Sequence, residues 1–205
     1  MKQRLLKVVA AIAIVTVGGA YFYTSTGVSA DAKTKESHTV QSESKGKILP
    51  SKHYNPTEAT VTFLNELEYG DSIKKYSKEY DVDPLLVFAI MKQESGEYPY
   101  AKSQTGAFGL MQLTAEQAKE LGVNRENDDE NIKGGTILLH RLIEQTKSTE
   151  LAIYAYNVGA GTVSNWIKEG YTPKSFPSKE TRTFGTKVLQ TYEEAINYNK
   201  PKAQH

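Results

Sequence analysis

The sequence predicts an all-α domain, and three observations carry that prediction. No segment sustains the apolar–polar alternation of a half-buried strand. Past residue 56, apolar residues instead recur at spacings of three and four. Helix-start chemistry sits just upstream of these runs, and glycine just downstream. In chain order, Asn55-Pro56-Thr57-Glu58 reads as a capping box with proline at the first helical position. The helix it opens turns Ala59, Phe63 and Leu67 inward and stops at Gly70. Asp71 is expected to cap a second helix, with Ile73, Tyr76 and Tyr80 on one side. Asp83-Pro84 opens a third over Leu85–Ser95, apolar nearly all round and therefore buried, which Gly96 ends.

Thr114-Ala115-Glu116-Gln117 is a second capping box, with Gly122 as its stop. A long helix follows from about Asp129 to Lys147, with Ile132, Thr136, Leu139 and Ile143 at helical spacing. Stretches 149–157, 162–168 and 179–197 complete the set, and the glycine-, proline- and serine-rich segments 96–109, 158–162 and 170–178 read as loops. Seven or eight helices over 56–200 suffice for one core.

Charge separates this body from what precedes it. The chain has 205 residues, 25 Lys+Arg, 24 Asp+Glu and no cysteine. The missing cysteines exclude a disulfide scaffold, a thiolate metal site and a cysteine nucleophile. His38, His53, His140 and His205 show no ligand spacing, so neither a metal nor a cofactor is implied. The net charge of +1 averages three unlike parts: residues 1–30 carry +3, residues 31–52 carry +2 and the remainder −4. A mildly acidic body without a Lys/Arg stripe argues against nucleic acid as a partner.

Residues 1–30 join a basic start (Lys2, Arg4, Lys7) to the uncharged, mostly apolar run 8–23 and then to Val28-Ser29-Ala30, small residues that suit a signal peptidase. That run is long for a secretory signal and short for a span of about 20 residues. Both a cleaved signal peptide and an N-terminal membrane anchor are consistent with it, and either places the body outside the cytoplasm. Residues 31–55 are rich in Lys, Ser, Glu and Thr and cannot bury enough surface to offset chain entropy, so they read as a disordered linker.

One carboxylate falls in an unusual place. Glu94 follows Leu86, Val87, Ile90 and Met91 by eight, seven, four and three residues, on the face of the most apolar helix. Burying it unpaired costs several kcal/mol unless it holds a proton. Desolvation would raise its pKa toward what a general acid near neutral pH requires. A glutamate at a helix end can also swing out to solvent near Ser95-Gly96, and Glu97 reads as an ordinary exposed residue. Further along come Ser103, then Gly106-Ala107-Phe108-Gly109-Leu110-Met111-Gln112, Asn131-Ile132-Lys133-Gly134-Gly135, Ala155-Tyr156-Asn157-Val158-Gly159 and Glu180-Thr181-Arg182-Thr183-Phe184. Singly, these read as a tight turn, a helix-packing motif and helix ends.

Taken together in this order, the motifs resemble the soluble-lytic-transglycosylase-like catalytic domain family over about residues 72–198. The resemblance implies a lysozyme-like all-α fold. It implies that Glu94, of the pair Glu94-Ser95, is the single catalytic acid and base. Ser103, Met111 and Gln112 match positions that line or adjoin a sugar groove. Tyr156 matches a tyrosine that hydrogen-bonds the acid, and Asn157 the asparagine beside it. Two departures stand out: Leu113-Thr114 replaces a hydrophobic pair ending in proline, and Phe184 replaces a common tyrosine.

The implied partner is the glycan strand of peptidoglycan, cut between N-acetylmuramic acid and N-acetylglucosamine with closure of a 1,6-anhydro ring. A hydrolytic muramidase on the same bond would need a second carboxylate, for which Glu97, Glu116, Asp128, Asp129 and Glu180 are available. A non-enzymatic wall-binding module is the rival from another class. Oligomeric state leaves no mark on the sequence.

Overall fold

A computed structural model describes residues 48–198. The expected signal or anchor and most of the expected linker lie outside the described residues. Within them, eight helices run in order: α1 (Glu58–Asn65), α2 (Gly70–Glu79), α3 (Pro84–Ser95), α4 (Ala115–Leu121), α5 (Asp128–Thr146), α6 (Thr149–Val158), α7 (Ala160–Lys168) and α8 (Lys179–Ile196). Extended pairing among the described residues is limited to isolated bridges, Lys102 with Phe108 and Phe108 with Leu113. None of these helices is long and apolar enough to cross a membrane.

The all-α expectation holds, and α3 is the axis of the core. Every residue from Pro84 to Met91 is buried, as a helix apolar on all sides must be. Asp83 caps it, its Oδ1 accepting from the Leu85 amide at 3.0 Å, and Gly96 ends it at φ 63°. The other carboxylate oxygen of Asp83 accepts from the Tyr192 hydroxyl of α8 at 2.7 Å and from the Ser51 amide at 3.1 Å. One buried side chain thus joins the start of α3, the far part of α8 and the chain upstream of α1. Burial raises its pKa above the ordinary carboxylate value, while these donors oppose the rise.

Several boundaries differ from expectation for physical reasons. The cap of α1 is Thr57, whose side chain accepts from the Thr60 amide, so Pro56 precedes the cap and Ala59 faces solvent while Thr60 and Leu64 turn inward. Gly70 does not stop α1. It begins α2, where a Cβ would stand 1.7 Å from the Leu64 carbonyl oxygen, so glycine is there for close approach. Asp71 consequently lies in the first turn of α2, and Tyr69 precedes that helix without a side-chain cap. The expected loop 158–162 shrinks to one residue: Gly159, at φ 85°, both ends α6 and begins α7.

The ordered body also starts upstream of residue 56. Pro50 is buried, the Tyr54 amide donates to Asp81 Oδ1 at 2.9 Å, and His53 Nδ1 lies 2.6 Å from the other Asp81 oxygen. Lys52 pairs with Glu144 at 3.0 Å. Four polar contacts thus fasten residues 51–54, which composition alone assigns to the linker.

Candidate active site

Glu94 sits in the last turn of α3 and lines an open groove of about 500 Å³. Asn157, at the end of α6, lines the same groove. The opposite wall is the start of α8, with Lys179, Glu180, Thr183 and Phe184. Ser178 caps that helix by accepting from the Thr181 amide at 3.1 Å, so the wall begins at a fixed point. Phe184 is nearly fully buried and presents an apolar ring, without a hydroxyl, to the groove.

The Glu94 carboxyl has no hydrogen-bond or ion-pair partner among the described residues. Burial alone pushes its pKa up to about 8. Glu94 is therefore a protonated acid at neutral pH, half-buried and open to the groove. Glu97, three residues on, pairs with Lys92.

The tyrosine does not stand as the resemblance implies. Tyr156 Oη donates to the Met111 carbonyl at 3.0 Å, which uses its one proton, so it is a neighbour of Glu94 and not its donor. Its pKa is raised well above the ordinary value by burial first and by the charge of Glu94 second. The Met111 side chain is wholly buried, against Gly135, where a Cβ would approach within 2.5 Å. What Met111 offers the site is its backbone carbonyl.

Ser103 and Gln112 belong to the turn-rich segment 101–113. Ser103 Oγ accepts from the Ala107 amide at 3.0 Å. Gln112, at φ 50°, spends both amide protons on backbone: Nε2 donates to the carbonyls of Ala101 at 3.0 Å and Gly109 at 2.8 Å. Its Oε1 remains as an acceptor. Neither residue lines the groove beside Glu94, so both shape the segment next to it.

Two residues hold this segment in place: Asn131, which opens the Asn131–Gly135 motif, and Arg125, which sequence reasoning passed over. Asn131 is buried at the start of α5. Its Oδ1 accepts from the Met111 amide at 2.7 Å, and its Nδ2 donates to the carbonyls of Phe108 at 3.0 Å and Arg125 at 2.8 Å. Gly109, at φ 83°, leaves the room this needs, since a Cβ there would meet Asn131 Nδ2 at 2.3 Å. Arg125 Nη1 adds bonds to the carbonyls of Gly106 at 2.7 Å and Leu113 at 3.1 Å. The signal for Asn131 was an amide among the inward positions of an amphipathic helix. Lys179 left no such signal, and Thr183 only its place in the motif Glu180–Phe184.

The sequence model of the Transglycosylase SLT domain matches residues 71–178. Among similar proteins, the transglycosylase of Enterobacteria phage PRD1 is 37% identical over 114 residues, which is 55% of this chain and 42% of that protein. The membrane-bound lytic murein transglycosylase F of Vibrio cholerae is 40% identical over 147 residues, 61% of this chain and 27% of that protein. The 70-kDa soluble lytic transglycosylase in complex with bulgecin A superposes with a TM-score of 0.61 at 28% identity, over 67% of this chain and 25% of that one. An inactive glutamate-to-glutamine mutant of the lytic transglycosylase Slt from Pseudomonas aeruginosa gives 0.59 at 26% identity, over 67% and 25%. The chain spans less than half the length of each of these relatives.

Proposed function

Because the chain belongs to the Transglycosylase SLT domain family, we propose that it is a peptidoglycan lytic transglycosylase with Glu94 as its single acid and base. The observation that carries this is an acid held protonated by burial alone, opening onto a groove. In the first step Glu94 gives its proton to the glycosidic oxygen, and the C1–O bond to N-acetylglucosamine breaks. The 2-acetamido group of the muramic acid stabilises the electron-poor C1, which lets one carboxyl serve where most glycosidases use two. Glu94, now a carboxylate, removes the proton of the same sugar's 6-hydroxyl, whose oxygen closes on C1. The atoms balance without water, and the attacking oxygen has the proximity advantage of an intramolecular nucleophile. Asn157 contributes an amide to the groove where acetamido and hydroxyl groups would lie.

Digestion of insoluble peptidoglycan followed by mass spectrometry tests the reading. Anhydro products are one water lighter than hydrolytic ones, and digests containing only the heavier form would overturn it. The hydrolytic reading has one feature in its favour: Glu180 shares the groove. It needs the two carboxyls about 5–5.5 Å apart for retention or about 6.5–9.5 Å for inversion. Against it, no neighbouring acid contributes to the raised pKa of Glu94, which burial alone produces.

The pH profile follows from the same acid. With its pKa at about 8, kcat/KM is expected to hold up to that pH and then fall about tenfold per unit, as the proton needed for the first step is lost. A basic limb near pH 5, typical of an ordinary carboxyl, would remove Glu94 from this role. The work is placed in the cell envelope, where the substrate is, with residues 1–30 as the export signal or anchor.

A further inference from the structure

The groove of about 500 Å³ holds only a short piece of a polymer, so a glycan strand must run on past Glu94. Tyr98 and Tyr100 follow the acid by four and six residues, and they are 58% and 68% exposed. Their rings lie edge to face, with centroids 5.8 Å apart and planes at 75°. Neither phenol oxygen has a hydrogen-bond partner among the described residues.

The pair is mounted rigidly. The Tyr98 amide donates to the Ser95 carbonyl at 3.2 Å, next to the acid, and the Ala101 amide donates to the Tyr98 carbonyl at 3.2 Å. The Ala101 carbonyl in turn receives the Gly109 amide at 2.9 Å and Gln112 Nε2 at 3.0 Å. Pro99, between the two rings, restricts the backbone further. The aromatics therefore project from a strap fixed at one end to the helix of Glu94 and at the other to segment 101–113.

The strap is close to neutral. Glu97, the one acid in it, is held by Lys92. Exposed aromatics on a neutral surface suit a partner with an apolar face and no net charge. A pyranose ring has such a face, formed by its axial C–H bonds. We propose that Tyr98 and Tyr100 form a stacking platform for a sugar ring of the glycan strand beyond the cleavage groove. The inference rests on the reading of peptidoglycan as the substrate.

The test uses the full chain carrying E94Q, so that strands stay intact while binding is measured. Adding Y98A and Y100A is expected to weaken co-sedimentation with insoluble peptidoglycan about tenfold, the scale of roughly one lost aromatic contact per ring. The loss for a single disaccharide, which the groove alone accommodates, is expected to be at least about fivefold smaller. Y98F with Y100F should restore binding, because the ring and not the hydroxyl stacks. Equal losses on strand and disaccharide, or no loss on either, would overturn the platform while leaving the peptidoglycan reading standing. So would gel filtration showing that Y98A and Y100A dissociate a dimer with strand binding unchanged. A parent chain that binds no peptidoglycan would instead sink the substrate reading. A parent that binds with the expected pattern but releases no anhydro product would sink only the reaction.

Discussion

Replacing Glu94 with glutamine is expected to cut turnover of peptidoglycan by at least about 10³-fold, near the upper part of what one general acid–base contributes. Here a single group acts in both directions, so proton donation to the leaving oxygen and deprotonation of the 6-hydroxyl fail together. Glutamine keeps the size and the hydrogen-bonding capacity of the protonated acid. Folding and wall binding are accordingly expected to survive. E94Q that cleared wall suspensions as fast as the parent would remove the acid role and revive a wall-binding module.

The same substitution should change stability in a pH-dependent way. The folded-state pKa of about 8 lies above the ordinary 4.5. The folded chain therefore binds more protons than the unfolded one between those values, and stability falls as pH rises through that window. Glutamine has no proton to lose. E94Q is thus expected to melt with the parent at pH 4 and above it at pH 8.5. Calorimetry at the two pH values checks the sign, and a parent more stable than E94Q at pH 8.5 would contradict it.

Replacing Asn131 with alanine is expected to cost about 3–5 kcal/mol in urea denaturation and most of the activity, although Asn131 touches no groove atom. It leaves the buried Met111 amide without its partner, at about 1–3 kcal/mol, and removes a donor from the part-buried carbonyls of Arg125 and Phe108, of which Phe108 keeps the Leu113 amide at 3.1 Å. Met111 also presents the carbonyl that holds Tyr156, so the error would spread toward Glu94. Aspartate discriminates further. It can accept from the Met111 amide but faces two carbonyls to which it cannot donate, so N131D should be at least as damaging as N131A. A near-neutral N131D would show that the donated bonds carry little of the stability.

Where one physical rule dominated, the sequence was readable. α3 was legible because its cap, its proline and its unbroken apolar run agree, and α4 because Thr114 and Gln117 complete a reciprocal box that the structure contains. Glu94 was legible because a carboxylate on that face conflicts with its surroundings. The junction of α1 and α2 was misread because glycine serves equally as a stop and as a point of close approach, and only the partner backbone decides. Met111 and Gln112 were matched by position, yet which of their atoms reach the site depends on tertiary hydrogen bonds. Asn131 was legible only as the start of a helix-packing motif, and its bridging role was not, because its three partners lie 6, 20 and 23 residues away.

The bond from Tyr192 to Asp83 spans 109 residues. Contacts that distant in sequence close late, because their loop entropy must be met before they repay it. Helices α1 to α7 pack largely with near neighbours along the chain, whereas α8 returns to α3 and brings the Phe184 wall with it. Until that return, Glu94 lacks one side of its groove. Its acidity would then stay nearer that of an ordinary carboxyl, already ionised at neutral pH. A chain emerging N-terminus first would therefore acquire its proton donor in one late step, as α8 docks.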